Sequence, residues 1–374
     1  MNNALDYLDW RGDLSFRISK FNEIDLFLCS QLSTPVYTGI VANDGSSVKL
    51  GEVVKMYFAS NIDDVSTLGV LQSSYVLPML RALPKTKRFK NAKLCFAVNH
   101  VDQENIEQFS AVTIELPDGS ICVAYRGTDD TIIGWKEDFN LATHEAVPAQ
   151  KDALDYLVNV AQNHEGQIHI CGHSKGGNLA VYAAVKAPSA IKDRIVEVCS
   201  FDGPGFSAAF LESEDYLEMK SRIRTVLSQN SLVGTLLNTA GKVEYVTSTK
   251  SGPLAHDGFS WIVKGTSFVR SSGLGDVSKA FDKAMGEALD KMSVDEKQEF
   301  VDELFDTLTS TGAVTITDLT NIKLSSALAL FKNFWDDKKV HSFNHKVGEE
   351  LFKAIYTPLL NKLPFIDSKD SDSK

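Results

Sequence analysis

Ile168-His169-Ile170-Cys171-Gly172-His173-Ser174-Lys175-Gly176-Gly177-Asn178-Leu179-Ala180 is the stretch whose reading decides the fold. It holds a Gly-x-Ser-x-Gly between a β-prone run, Gln167 to Cys171, and a small-residue helical run that Pro188 stops. A strand that turns abruptly into a helix forces its apex residue into a strained backbone conformation and brings the residues two positions either side against opposing backbone. Gly172 and Gly176 meet that demand and leave Ser174 at the apex as a candidate nucleophile. The competing reading is a structural glycine turn. The strand before and the helix after favour the nucleophile.

Working outward, Ala111 to Leu116 and Ile121 to Thr128 are strand-like runs joined through Pro117-Asp118-Gly119, a hairpin signal. Downstream the pattern alternates: a helix over about 149–162, a strand over 167–171, a helix over 176–187, a strand over 195–201, a helix over 206–221, then strands 223–227 and 242–247. Strands separated by helices predict βαβ units, hence an α/β fold with a mainly parallel sheet flanked by helices. Upstream, Asn22 is placed to cap a helix through Leu32. Beyond about 275 the strand signal ends. Val277 to Met285 is amphipathic, Ser293-Val294-Asp295-Glu296 has the form of a capping box for a helix to about Thr309, and further helices are expected over 318–338 and 344–362. The expected division is an N-terminal helical segment packed on the core, 1–84; the α/β core, 85–275; a C-terminal helical region, 276–365; and a disordered tail, 366–374.

Composition bounds the function. The 374 residues are 43% hydrophobic and 23% charged, a globular profile. A net charge of −11 argues against nucleic acid or an anionic membrane as a partner recognised by charge. The basic run Lys85-Thr86-Lys87-Arg88-Phe89-Lys90 reads as a solvated loop, with a local anion contact as the alternative. Five cysteines, Cys29, Cys95, Cys122, Cys171 and Cys199, are odd in number, lack metal-ligand spacing and read as reduced core residues. With no signal peptide or transmembrane segment visible, the expected compartment is the cytoplasm.

A serine hydroxyl needs a base, and the base an orienting acid. Three histidines follow Ser174: His256 in a turn-rich loop past the last expected core strand, and His341 and His345 far into the helical region. His256 is the candidate base, against an ordinary loop histidine. His173 stands on a tight turn, points away from the serine and is assigned to packing. For the acid, Asp202 directly follows strand 195–201, at the strand ends where reactive groups gather in open α/β sheets. Its alternative role is a cap for the helix near Phe206. Glu244 falls inside a strand and Asp257 stands too close to His256 in sequence. The oxyanion donors expected are the backbone N–H of Lys175, at a helix start, and Thr128, with N–H and hydroxyl. The Lys175 side chain is expected at the solvent or substrate rim.

Tyr125-Arg126-Gly127-Thr128 followed by Trp135 and Asp138, then Gly172 to Gly177, then His256, resembles the class 3 (fungal-type) lipases of the α/β-hydrolase superfamily over about residues 110–262. With Phe21 to Asp25 and Asn178-Leu179-Ala180 included, the whole chain is similar to a bacterial family with lipase-like cores. The lipase resemblance implies an α/β-hydrolase sheet, Ser174 as nucleophile, His256 as base and Thr128 in the oxyanion hole. It also implies an aspartate after the strand ending near Leu227, where this chain has Asn230-Ser231. The acid has therefore moved to Asp202, or the triad is incomplete. The expected function is a serine ester hydrolase acting on a small acyl-ester or lipid-like substrate without cofactor or metal. The alternative is a binding or regulatory module on a degenerate hydrolase core.

Overall fold

The computed structural model describes residues 2–60, 73–289, 292–310, 312–315 and 318. The helices expected over 318–338 and 344–362, the tail from 366, and His341 and His345 lie outside the described residues.

Eight strands form one sheet in chain order: β1 (Val48–Lys49), β2 (Lys93–Asp102), β3 (Glu107–Glu115), β4 (Ile121–Tyr125), β5 (Ile168–His173), β6 (Ile195–Phe201), β7 (Ile223–Ser228) and β8 (Lys242–Val246). β1 to β4 pair antiparallel and β4 to β8 parallel, so the expected parallel sheet carries an antiparallel edge. The Pro117-Asp118-Gly119 hairpin stands between β3 and β4, with Ile114 opposite Cys122. A two-stranded ribbon, β9 (Val263–Lys264) with β10 (Ser267–Phe268), follows.

Among the described residues the helices are α1 (Ala4–Arg11), α2 (Glu23–Leu32), α3 (Leu50–Ala59), α4 (Val76–Ala82), α5 (Ile132–Asn140), α6 (Pro148–Asn163), α7 (Lys175–Lys186), α8 (Ser189–Lys192), α9 (Ala208–Glu212), α10 (Glu214–Met219), α11 (Asp276–Leu289) and α12 (Val294–Thr309). The single helix expected over 206–221 is split at Ser213, whose extended backbone and side-chain bond to the Tyr216 N–H start α10 afresh. Alternation along the strands sends Cys122, Ala124, Cys171 and Cys199 to one face, with α1 to α4, and Val123, Tyr125 and Ile170 to the other, with α6, α7 and α10. Helices cover both faces, which fits the α/β-hydrolase-like arrangement the resemblance implies. All five cysteines are free and buried.

The N-terminal helices are core elements. Every residue of α2 is buried, its expected Asn22 cap stands and forms a capping box with Asp25, and the helix packs on β4 and β5. The basic run at 85–90 is not a solvated loop throughout. Arg88 is fully buried, its Nε donates to Asp25 Oδ1 at 2.8 Å, and its Nη1 donates to the carbonyls of Leu14 and Ser19. A desolvated guanidinium needs such a complete set of acceptors, and α2 together with the connection between α1 and α2 supplies it. At the other end, α12 lies on α5 through the Phe139–Phe305 ring contact and a 2.8 Å Lys136–Asp302 ion pair, and just past α5 Thr143 bonds to Gln298. Among the described residues no helix is long and apolar enough to cross a membrane.

Candidate active site

Register brings the candidate residues together. Tyr125 lies opposite Gly172, His173 opposite Phe201, and Phe201 opposite Val226, so the segments carrying Thr128, Ser174 and Asp202 leave three adjacent parallel strands at the same edge. That edge is where the dipoles of the following helices present their positive ends.

Ser174 sits between β5 and α7 with φ 58° and ψ −136°, a conformation costly for a residue with a Cβ. The elbow is held by the Ser174 N–H on the Phe201 carbonyl at 3.0 Å and by the Gly177 N–H on the Ser174 carbonyl at 2.8 Å. A Cβ on Gly172 would stand 2.0 Å from the Gly176 carbonyl oxygen, and one on Gly176 would stand 2.1 Å from that of Tyr125. Both glycines are required by backbone approach, as the motif implies.

Asp202 follows β6 with φ 53°, is fully buried, and is anchored by its N–H on the Val226 carbonyl at 2.9 Å. Its Oδ2 lies 2.7 Å from His256 Nδ1. A carboxylate at this position accepts, so Nδ1 carries the proton and Nε2 presents a lone pair. His256 ends a 3₁₀ turn, Gly252–His256, and the Trp261 indole N–H on the Ala255 carbonyl at 2.9 Å fixes that turn. The other candidate acids are engaged elsewhere: Asp257 pairs with Lys250 at 3.0 Å, and Glu244 pairs with Arg224 and Arg270.

His173 does more than pack. Its Nε2 donates to the His256 carbonyl at 2.8 Å, and the two imidazoles lie 4.6 Å apart between centroids. Burial first, and then the neighbouring His256, push the His173 pKa down to about 4, so the ring is neutral. It therefore ties the base to the residue before Ser174. Among the described residues the Ser174 hydroxyl itself makes no hydrogen bond; catalytic contacts often tighten only with substrate present.

On the other side of the elbow, Gly127 brings the loop after β4 so close that a Cβ there would stand 2.7 Å from the His173 carbonyl oxygen and 2.9 Å from Ser174 Cβ. The next residue, Thr128, donates its hydroxyl to Asp138 Oδ2 on α5. Burial pushes the Asp138 pKa up to about 7, against the opposing influence of Lys175 and of the Thr128 hydroxyl. Lys175 opens α7, so its N–H is among the first-turn donors that lack an intrahelical acceptor. Its side chain is not at the rim. The ammonium is fully buried and lies 2.8 Å from both Glu137 Oε2 and the Gln108 carbonyl. Glu137 was not singled out by sequence, and no local pattern marks it: its partner lies 38 positions away.

The position where the resemblance expects an aspartate holds Ser231, fully buried, whose hydroxyl receives the Gly234 N–H at 2.9 Å. Asn230 donates to the Lys250 carbonyl. Among the described residues, two groups could offer three metal donors each: Cys95, Glu115 and His164, and His100, Asp102 and Glu107. In the first, the Lys93 ammonium sits 2.9 Å from Glu115, and burial pushes the Cys95 thiol up to about 12. Both features oppose a cation there.

A family model described as Mbeg1-like matches residues 83–306. Among solved structures, the chain is similar to the M37 lipase (17% identity, 45% of this chain and 65% of that one, TM-score 0.35). It is also similar to the Lip2 lipase from Yarrowia lipolytica (14%, 54% and 78%, 0.34) and to a Rhizomucor miehei lipase propeptide complex (12%, 60% and 68%, 0.34). The chain thus spans less than two thirds of the length of the M37 lipase. No curated protein matches the sequence.

Proposed function

The chain belongs to the Mbeg1-like family, and from that premise we propose that this member is a serine ester hydrolase acting on a small acyl-ester or lipid-like substrate. Ser174 Oγ attacks the ester carbonyl carbon while His256 Nε2 takes its proton, and Asp202 stabilises the resulting imidazolium through Nδ1. The carbonyl electrons move onto oxygen, where the N–H of Lys175 and the N–H of Thr128 receive the charge. Collapse of the tetrahedral adduct expels the alcohol, which leaves with the proton from His256. Water, deprotonated by the same imidazole, then releases the acid from the acyl-enzyme.

The observation that carries this reading is the 2.7 Å contact of His256 Nδ1 with the buried Asp202 carboxylate, beside a serine held at φ 58°. The vacancy at Asn230-Ser231 motivated a degenerate binding module. An oriented imidazole and a strained serine serve no purpose in such a module, and this favours the hydrolase.

The test is turnover of p-nitrophenyl butyrate together with labelling by a fluorophosphonate. Wild type should hydrolyse the ester and be labelled at Ser174, and Ser174→Ala should do neither. Folded wild-type protein that is inert in both assays would exclude the reading.

A further inference from the structure

The residue after the nucleophile carries a charge that the mechanism above does not use. Lys175 Nζ is fully buried and bonded to Glu137 Oε2 and to the Gln108 carbonyl, each at 2.8 Å. Glu137 is equally buried and gathers three elements: its Oε2 also receives the Gln108 N–H at 2.9 Å, and its Oε1 receives the Ala149 N–H at 2.9 Å. The next residue on α5, Asp138, receives the Thr128 hydroxyl. One stretch of α5 is therefore fastened at two points, to the helix start behind Ser174 and to the loop that carries Thr128.

Removing an ammonium and a carboxylate from water is expensive, and an apolar pair of similar volume commonly does as well for stability or better. Stability alone is a weak reason for such a pair. A fixed geometry is a better one, because oxyanion donors act only when preorganised around the place where charge develops.

We propose that the Lys175 side chain is a positioning residue, which through Glu137 locks α5 and with it Thr128 against the Ser174 elbow, setting the spacing of the two oxyanion donors. The proposal rests on the reading of Ser174 as a nucleophile. Gly127 shows how little slack the spacing has: its backbone already touches the His173 carbonyl and the Ser174 side chain closely enough to leave no room for a Cβ.

The experiment compares wild type with the double variant Lys175→Met/Glu137→Leu, which replaces the ion pair by apolar contact and leaves no unpaired buried charge. Three readouts are taken on folded protein: kcat and KM for p-nitrophenyl butyrate, the inhibition constant of an arylboronic acid whose tetrahedral adduct occupies the oxyanion hole, and the rate of fluorophosphonate labelling. The expected result is a folded protein of lower thermal stability, because the Gln108 and Ala149 N–H groups lose Glu137 as acceptor, with a KM within about threefold and a kcat lower by about 10²-fold, the scale of one lost oxyanion donor. The boronate constant should rise and the labelling rate should fall in proportion.

A folded double variant whose kcat falls less than tenfold, or whose boronate affinity is unchanged, overturns the proposal. Should that variant fail to fold, Glu137→Gln keeps the shape and removes the charge. The same proportional loss, threefold or more, is then expected, and equality with wild type overturns the proposal. A wild type that is itself unlabelled defeats the hydrolase reading. A labelled wild type with equally labelled variants defeats only the role given to Lys175.

Discussion

Asp202 and Ser231 meet at Gly234: Asp202 Oδ1 and Ser231 Oγ each lie 2.9 Å from the point where a Cβ on Gly234 would stand. Ser231 occupies the loop after β7, where the lipase resemblance expects the acid, and Asp202 arrives from the end of the neighbouring β6. Two adjacent parallel strands thus deliver residues to one small volume beside Gly234.

That convergence predicts a transplant. Asp202→Asn should lower kcat by about 10³ to 10⁴, as loss of the orienting acid does in Ser-His-Asp triads. Adding Ser231→Asp to Asp202→Ala should recover at least about tenfold over Asp202→Ala alone, the lower end of one well-placed charge-assisted contact. Steady-state kinetics on a short ester would read it, and no recovery would mean that the two positions do not serve the same histidine.

The backbone at Ser174 makes a prediction about stability. Its φ of 58° is open to glycine and costly for alanine. Both Ser174→Gly and Ser174→Ala should lack turnover, but the glycine variant should be the more stable by about 1 kcal/mol. Urea denaturation distinguishes them, and equal midpoints would show that the elbow stores no strain.

His173 makes stability depend on acid pH. Its native pKa of about 4 is below the ordinary 6.5, so the unfolded chain binds a proton that the native ring refuses. The contribution is complete above about pH 6.5 and is lost as the pH falls toward 4. His173→Gln, which keeps a donor for the His256 carbonyl, should flatten the melting temperature across that window. A profile as steep as wild type's would assign the acid loss to other groups.

Asp138 acts with the opposite sign. Burial raises its pKa from 3.8 to about 7, so the native carboxyl holds a proton that the unfolded chain has already released. Its presence therefore costs stability progressively as the pH rises from about 4 through 7. Asp138→Asn keeps an acceptor for the Thr128 hydroxyl, and its stabilising effect should be near zero at pH 4 and largest at pH 8. Thermal melts across the range would show it, and a pH-independent difference would contradict the assignment.

The elbow and the β3–β4 hairpin were legible because local sterics dictate both: glycine where backbone approaches at Gly172 and Gly176, and Pro-Asp-Gly where the chain reverses. The α12 boundary was legible for the same kind of reason, with Ser293 and Glu296 exchanging hydrogen bonds across the first turn. Asp202 could be found as the residue leaving a strand, although its partner could not be read from spacing. The burial of Lys175 and Arg88 was not legible. A lysine in a first helical turn and an arginine in a basic run both look solvated until tertiary packing brings Glu137 and Asp25 to them. The role of His173 was missed because it depends on where a loop 83 positions away comes to rest. The break at Ser213 did have a signal: a serine followed by Glu214 and Asp215 is a helix start. Strand β2 was hidden by its register shift between Cys95 and Val98, which interrupts the alternation.

Helix α2 bears on how the molecule assembles. It is buried along its whole length, and Glu23 at its start receives the Phe268 N–H and pairs with Arg270, 247 positions later. A chain made in sequence order therefore produces α2 well before the residues that satisfy its Glu23. Until β5 has been added that helix lacks the strands it packs on, and its Glu23 lacks Arg270 for longer still. In that interval α2 presents an apolar surface open to aggregation.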